Sequence, residues 1–206
     1  MDTPTQPRKQ PRQARSRATV DTLLEATAQV LTTHGYRRAT TGRIAERAGV
    51  SIGSLYQYFP NRDALVAALV ERHCDRIIAR MQAALDGADD LEAGVLALIR
   101  AGQDTQRIDP ALHKVLVEQI PRVGRFEEVM DTHRRLAALI EVFLQRYSAR
   151  LAPDRTPALA ATLVESTLEA AIHRAVHDHP ALLDDPRFTS ELFALVIGYL
   201  TGQPPD

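Results

Sequence analysis

The sequence predicts an all-α protein, on three observations. Apolar residues recur at i, i+3, i+4 and i+7 along successive segments, and helix-start and helix-stop residues punctuate those segments. No run of alternating β-branched residues is long enough to make a strand. The expected order is a basic arm over 1–14, a compact three-helix head over 15–60 and a larger helical bundle over 61–206.

The arm holds three prolines and several glutamines without apolar periodicity, and reads as flexible. From about Ser16 a helical stripe runs through Val20, Leu23, Leu24, Thr27, Val30 and Leu31, and Gly35 stands where a C′ residue would end it. Thr40 or Thr41 can cap a second helix over 42–48 that buries Ile44, Ala45 and Ala48. Gly49, Val50 and Ser51 make a tight turn into a two-turn helix that ends at Tyr58. Phe59 precedes a proline there and so disfavours the α region. Asn61 caps a long fourth helix whose stripe is Leu65, Leu69, Ile77, Ile78, Met81 and Leu85, with a break over 86–90. Further helices are expected over 91–106, 110–120, 124–150, 156–179 and 186–201. Pro110, Pro121, Pro153, Pro157, Pro180 and Pro186 lie at the breaks.

A chain of 206 residues, 45% of them hydrophobic, can bury a core without covalent staples. A single cysteine, Cys74, excludes an internal disulfide framework and a cysteine-based zinc site. The polar, basic start and the short apolar runs argue against a secretory signal, a membrane span and a membrane partner, so a cytoplasmic protein is expected. The net charge of −1 is unevenly placed. Residues 1–60 hold nine Lys/Arg and four Asp/Glu, whereas 61–206 hold sixteen and twenty-two. A basic head on an acidic body suits a nucleic-acid partner, although a modest basic end also arises by chance.

Two short helices joined by a three-residue turn describe a helix-turn-helix. Ala45 is small where the helices cross, Gly49 permits the turn, and Leu55 can plug the space between them. Around these positions stand His34-Gly35-Tyr36, then Ala39 to Ser51 (ATTGRIAERAGVS), then Ser54 to Leu65 (SLYQYFPNRDAL). Over residues 16–70 this block resembles the tetracycline-repressor (TetR/AcrR) family of bacterial regulators. Beyond residue 70 the likeness is to that family's helical ligand-binding and dimerisation domain in architecture alone. The family often carries lysine where this chain has Ile52 and Arg62.

The second helix of such a pair enters the major groove of double-stranded DNA, where each base pair shows its own donor and acceptor pattern. Ser51, Ser54 and Gln57 are the polar readers expected, with Ile52 available to a thymine methyl and Gly53 allowing close approach. Tyr56 and Tyr58 can donate to phosphates, although Tyr56 and Phe59 serve core packing equally well. Thr41, Arg43 and Arg62 are placed for phosphate contact, and Arg15 and Arg17 continue the cationic arm.

One small head binds weakly, so a homodimer on a palindromic operator is expected. Leu163, Ala170, Ala171 and Arg174, with Leu192, Val196 and Tyr199 on the last helix, are the expected dimer interface; the plainer reading makes them internal core. Cys74, Ile78, Leu98, Leu116, Gln119, Phe126, Met130, His133 and Phe143 are the expected pocket for a small-molecule effector, apolar because the set is mostly apolar. Each taken singly reads as core. Glu169, His173 and His177 share one helix face with metal-compatible spacing, but histidines so placed commonly make polar contacts between helices, and no metal or cofactor is expected. Absence of HExxH, GxSxG, Walker A and GxGxxG patterns argues against an enzyme. The function expected is a DNA-binding transcriptional regulator, a repressor released by its effector. The alternatives are a regulator without an effector, or an activator.

Overall fold

The computed structural model describes residues 14–108, 112, 126–179 and 181–203. Every regular element among them is helical: α1 (Ala14–Arg38), α2 (Thr41–Ala48), α3 (Ile52–Tyr58), α4 (Arg62–Asp86), α5 (Leu91–Ile108), α6 (Phe126–Arg146), a 3-10 turn (Ser148–Arg150), α7 (Pro157–His177), α8 (Ala181–Asp184) and α9 (Pro186–Thr201). The helix expected over 110–120 lies outside the described residues, apart from Leu112.

The helix ends follow their capping residues. Thr40 Oγ1 accepts from the Arg43 N–H at 3.3 Å, so Thr40 is the cap of α2. Asn61 Oδ1 accepts from the Ala64 N–H at 2.8 Å at the head of α4, and Asp90 Oδ1 does the same for Ala93 at 2.6 Å on α5. Gly49 stops α2 in the left-handed region at φ 67° and ψ 28°, donating to the carbonyls of Ala45 and Glu46. Gly35 differs from the expected helix stop. Its φ of 69° and ψ of 166° put a kink, open to glycine alone, inside α1, and one further helical turn follows to Arg38.

The chain forms two compact units with their boundary inside α4, between Cys74 and Asp75. The first unit has α1, α2, α3 and the first half of α4 around one core. Leu23, Leu31, Ile44, Leu55, Phe59 and Leu65 are its largest fully buried side chains. Thr27 is also fully buried in it, and its hydroxyl donates to the Leu23 carbonyl at 2.7 Å, so no polar atom of it is left bare. Ala64, Leu65, Val66, Leu69 and Val70 of α4 belong to this core, so it runs on beyond residue 60.

The second unit holds the remainder of α4, α5, most of α6, and α7 to α9. Its core joins Leu85, Leu91, Ile99, Phe143, Val164, Ile172, Val196 and Leu200. Two glycines on α5 set its packing distance. A Cβ at Gly94 would lie 1.9 Å from Phe143 Cζ, and one at Gly102 would lie 2.6 Å from Ile172 Cδ1. Gly94→Ala should therefore overpack a rigid ring and destabilise the unit by about 1–3 kcal/mol. The measurement is a lower urea midpoint at unchanged slope. Combined with Phe143→Leu, the loss should fall short of the sum of the two single changes, because both act on one contact.

Candidate nucleic-acid interface

The α2–α3 pair presents one buried and one open side. Leu55 is completely buried with Ile44 and Ala45, and Phe59 closes the same core. Seating Leu55 inward turns Ser51, Ile52, Gly53, Tyr56 and Gln57 outward, and all five are exposed. Ile52 keeps 44% of its surface open and Tyr56 41%, so Tyr56 is a surface residue and Phe59 a core one. Tyr58 is half-buried against the head core. Ser51 caps α3 by accepting from the Ser54 N–H at 3.1 Å, and the two serine hydroxyls lie 2.8 Å apart. Thr41 Oγ1 meets the Tyr56 hydroxyl at 3.1 Å, bracing the start of α2 against α3. Arg17 is exposed on α1, while the Arg15 side chain lies outside the described residues.

Arg62, expected to meet a phosphate, also makes contacts inside the head. Its guanidinium lies 4.0 Å from the centre of the Tyr36 ring and donates to the Tyr36 carbonyl at 3.1 Å and to Asp63 Oδ1 at 3.3 Å. Tyr36 in turn donates its hydroxyl to Asp63 Oδ1 at 2.6 Å. Burial first, and then this bond to a carboxylate, push the Tyr36 hydroxyl above its ordinary pKa. The cluster ties the turn after the Gly35 kink to the start of α4. Arg43 remains exposed while its Nη1 donates to the Arg38 carbonyl at 3.0 Å.

In the second unit a buried acid stands out. Glu165 on α7 is only 8% exposed, and its Oε1 lies 2.7 Å from His133 Nδ1 on α6, with the Ser166 hydroxyl donating to Oε2 at 3.4 Å. The bond to Glu165 raises the His133 pKa; burial opposes this, and the charges of Glu165 and Glu169 add to it. Gln103 is also buried, and its Oε1 accepts from the Thr189 hydroxyl at 3.1 Å. Of the expected pocket residues, Leu98 and Phe143 are core, Ile78 and Met130 are half-buried, and His133 holds Glu165. Cys74 packs on the core of the first unit. Leu116, Gln119 and the Phe126 side chain lie outside the described residues, as does the side chain of His177. Among the described residues no group of three His, Cys, Asp or Glu side chains is arranged to hold a metal ion.

The expected dimer residues divide. Leu163, Ala170 and Arg174 are exposed on α7, and Ala171 is half-buried. Leu192 and Val196 turn inward, at 7% and 1% exposure, and pack in the unit's own core rather than on a free face. Tyr199 is half-buried beneath the Arg155 guanidinium, 4.7 Å from its ring centre. Among the described residues, the large apolar side chains left open on α7 and α9 are Leu159, Leu163 and Leu195, at 59%, 44% and 56%.

The model of N-terminal domains described as bacterial regulatory proteins of the tetR family matches residues 23–69, and that of the tetracyclin repressor-like C-terminal domain matches residues 90–200. The chain belongs to the TetR family. An uncharacterised HTH-type transcriptional regulator of Mycobacterium bovis is 29% identical over 183 residues, covering 86% of this chain and 92% of that protein. The HTH-type transcriptional activator FasR of Mycolicibacterium smegmatis is 32% identical over 96 residues, 47% of this chain and 44% of FasR. The complex of triclosan with SmeT, repressor of a Stenotrophomonas maltophilia multidrug efflux pump, superposes with a TM-score of 0.66 at 23% identity, over 92% of this chain and 98% of SmeT. The TetR-family chain is thus a DNA-binding transcriptional regulator, and both repressors and activators occur among its relatives. No helix among the described residues is long and apolar enough to cross a membrane.

Two features of this TetR-family member were not singled out from its sequence. Glu165 was legible in principle, since it shares a stripe with Ala161, Leu168 and Ile172 at helical spacing, an acid where a core residue is due. The Tyr36–Arg62–Asp63 cluster has no local signal, because its members stand 26 and 27 residues apart. Arg62→Ala should destabilise the head by about 1–3 kcal/mol, seen by urea unfolding. It should leave the slope of log affinity against log salt unchanged, whereas loss of a phosphate contact would reduce that slope. For the His133–Glu165 pair the raised pKa fixes the sign. Its stabilising contribution is complete below the unfolded histidine value near 6.5 and is lost as pH rises through the raised folded value. Urea unfolding from pH 6 to 9 should show this decline, and His133→Asn should remove it.

Proposed function

We propose that the chain is a homodimeric repressor, acting in the cytoplasm by binding rather than catalysis. Two copies of α3 would hold a pseudo-palindromic duplex operator, and a small apolar or aromatic effector would release them. The observation that carries this reading is the division of α3 into a buried Leu55 and an exposed set of Ile52, Gly53, Tyr56 and Gln57. A short helix that presents exposed side chains from a braced scaffold is suited to base edges in a major groove. Thr41 and Arg43 at the start of α2, with Arg17 on α1, would supply backbone contacts that set its register.

A single head of this size has little area with which to bind, so two are required on adjacent half-sites. The second copy is expected on α7 and α9, where Leu159, Leu163 and Leu195 stand open beside Ala170 and Arg174. The effector would bind in the second unit, whose core is apolar with few polar groups. The triclosan complex of SmeT supports that ligand class. Release then requires the effector to bind the non-binding arrangement of the dimer more tightly than the operator-bound one. The name of FasR supports activation as the second reading. A promoter-reporter fusion separates them: removing the gene raises output under repression and lowers it under activation.

The combined variant Leu159→Glu with Leu195→Glu tests the assembly. Light scattering should give half the wild-type mass with helical circular dichroism retained, and operator affinity by fluorescence anisotropy should fall by about 100-fold or more. A variant that stays dimeric, or a wild-type chain already monomeric, would refute the interface.

A further inference from the structure

The reading helix carries no charge. From Ser51 to Pro60 the chain has no Lys, Arg, Asp or Glu. In the major groove guanine is most often recognised by Arg or Lys on O6 and N7, adenine by the amide of Gln or Asn on N6 and N7, and thymine by apolar contact with its 5-methyl group.

The arginines nearest the helix lie off it, on α2 and α4, and each already makes a contact within the head. Arg43 donates to the Arg38 carbonyl, Arg47 to Gln29 Oε1, and Arg62 to the Tyr36 carbonyl and Asp63. The hydroxyls of the face are engaged as well, Ser51 with Ser54 and Tyr56 with Thr41. Two side chains keep their recognition groups for a partner: Ile52, with 44% of its surface open, and the exposed amide of Gln57. Between them Gly53 has no side chain to hold the backbone away from the duplex.

From this juxtaposition we infer that α3 is a reader of A·T pairs. Gln57 takes an adenine through its N6 and N7, Ile52 takes the 5-methyl group of a thymine, and the half-site pairs beneath α3 are A·T rather than G·C. The inference rests on the proposed placement of α3 in the major groove and adds to it the base composition of the target and the two residues that set it.

The experiment is a selection of the purified full-length protein against randomised duplexes, repeated with Gln57→Ala and Ile52→Ala. Pairs whose selection changes in a variant are those that α3 addresses. Wild type should select A·T at these pairs, with about tenfold or greater discrimination against G·C at the Gln57 pair, lost in Gln57→Ala. Replacing the selected thymine by uracil, which removes only the methyl group, should weaken wild type by about 3- to 10-fold and leave Ile52→Ala unaffected. Selection of G·C at the addressed pairs overturns the inference while leaving operator binding intact. So does an unchanged selection in both variants, or a uracil effect that is absent from wild type or equal in Ile52→Ala. Failure of the wild-type protein to retain any duplex at low ionic strength would overturn operator binding and this inference together.

Discussion

A helix of seven residues is not stable by itself in water, since nucleation costs more than its few hydrogen bonds return. Helix α3 therefore exists through what surrounds it. Leu55 lies fully buried in one cluster with Ile44 and Ala45, Ser51 caps its start, and the Phe59 N–H closes its end on the Leu55 carbonyl at 2.9 Å. With a repeat of 3.6 residues per turn, fixing Leu55 inward fixes the opposite arc outward. The directions of Ile52, Gly53, Tyr56 and Gln57 are consequences of that one seat. The reading face has a rigid base even though none of its own side chains is packed.

The parts of this arrangement visible in the sequence are those decided by near neighbours. Thr40, Gly49, Ser51 and Asn61 act on backbone groups two to four residues away, so residue type and spacing suffice to place the turn and the helix ends. Arg62 could not be assigned in that way. A lone arginine at a helix start reads as a surface cation until Tyr36, distant in sequence, is brought beneath it. Leu192 and Val196 were ambiguous for another reason. Helix α9 is apolar over a broad arc, and an internal core and a subunit interface demand the same residue types. Only burial within the single chain separates Val196, at 1%, from Leu195, at 56%. The interior of the second unit is the least legible part, because inward spacing does not say what lies inside. By spacing His133 reads as a pocket residue, and its neighbour in the structure is the buried carboxylate of Glu165.

That carboxylate constrains how the second unit can respond. A buried Glu165 is tolerable while His133 and Ser166 satisfy its oxygens, and separating α6 from α7 would leave it desolvated and bare. The pair therefore resists independent movement of these two helices. Gln103 and Thr189 impose a similar tie between α5 and α9. An effector that enters this unit meets an apolar core whose helices are held in register at a few polar points, an arrangement that favours discrete rearrangement over gradual deformation.

An uncharged reading helix also separates affinity from specificity. Phosphate contacts supply a sequence-independent, salt-dependent attraction, and base contacts supply discrimination. A cation on α3 would contribute to both and so raise binding to random duplex along with the operator. Here the cations lie off the reading face, at Arg17 on α1 and Arg43 on α2, while Arg62 is withdrawn into the head. On the proposed reading, the exposed arc of α3 is left to act through differences between base pairs. Discrimination built this way changes little with salt, whereas the phosphate attraction shared by operator and random duplex falls steeply as ionic strength rises.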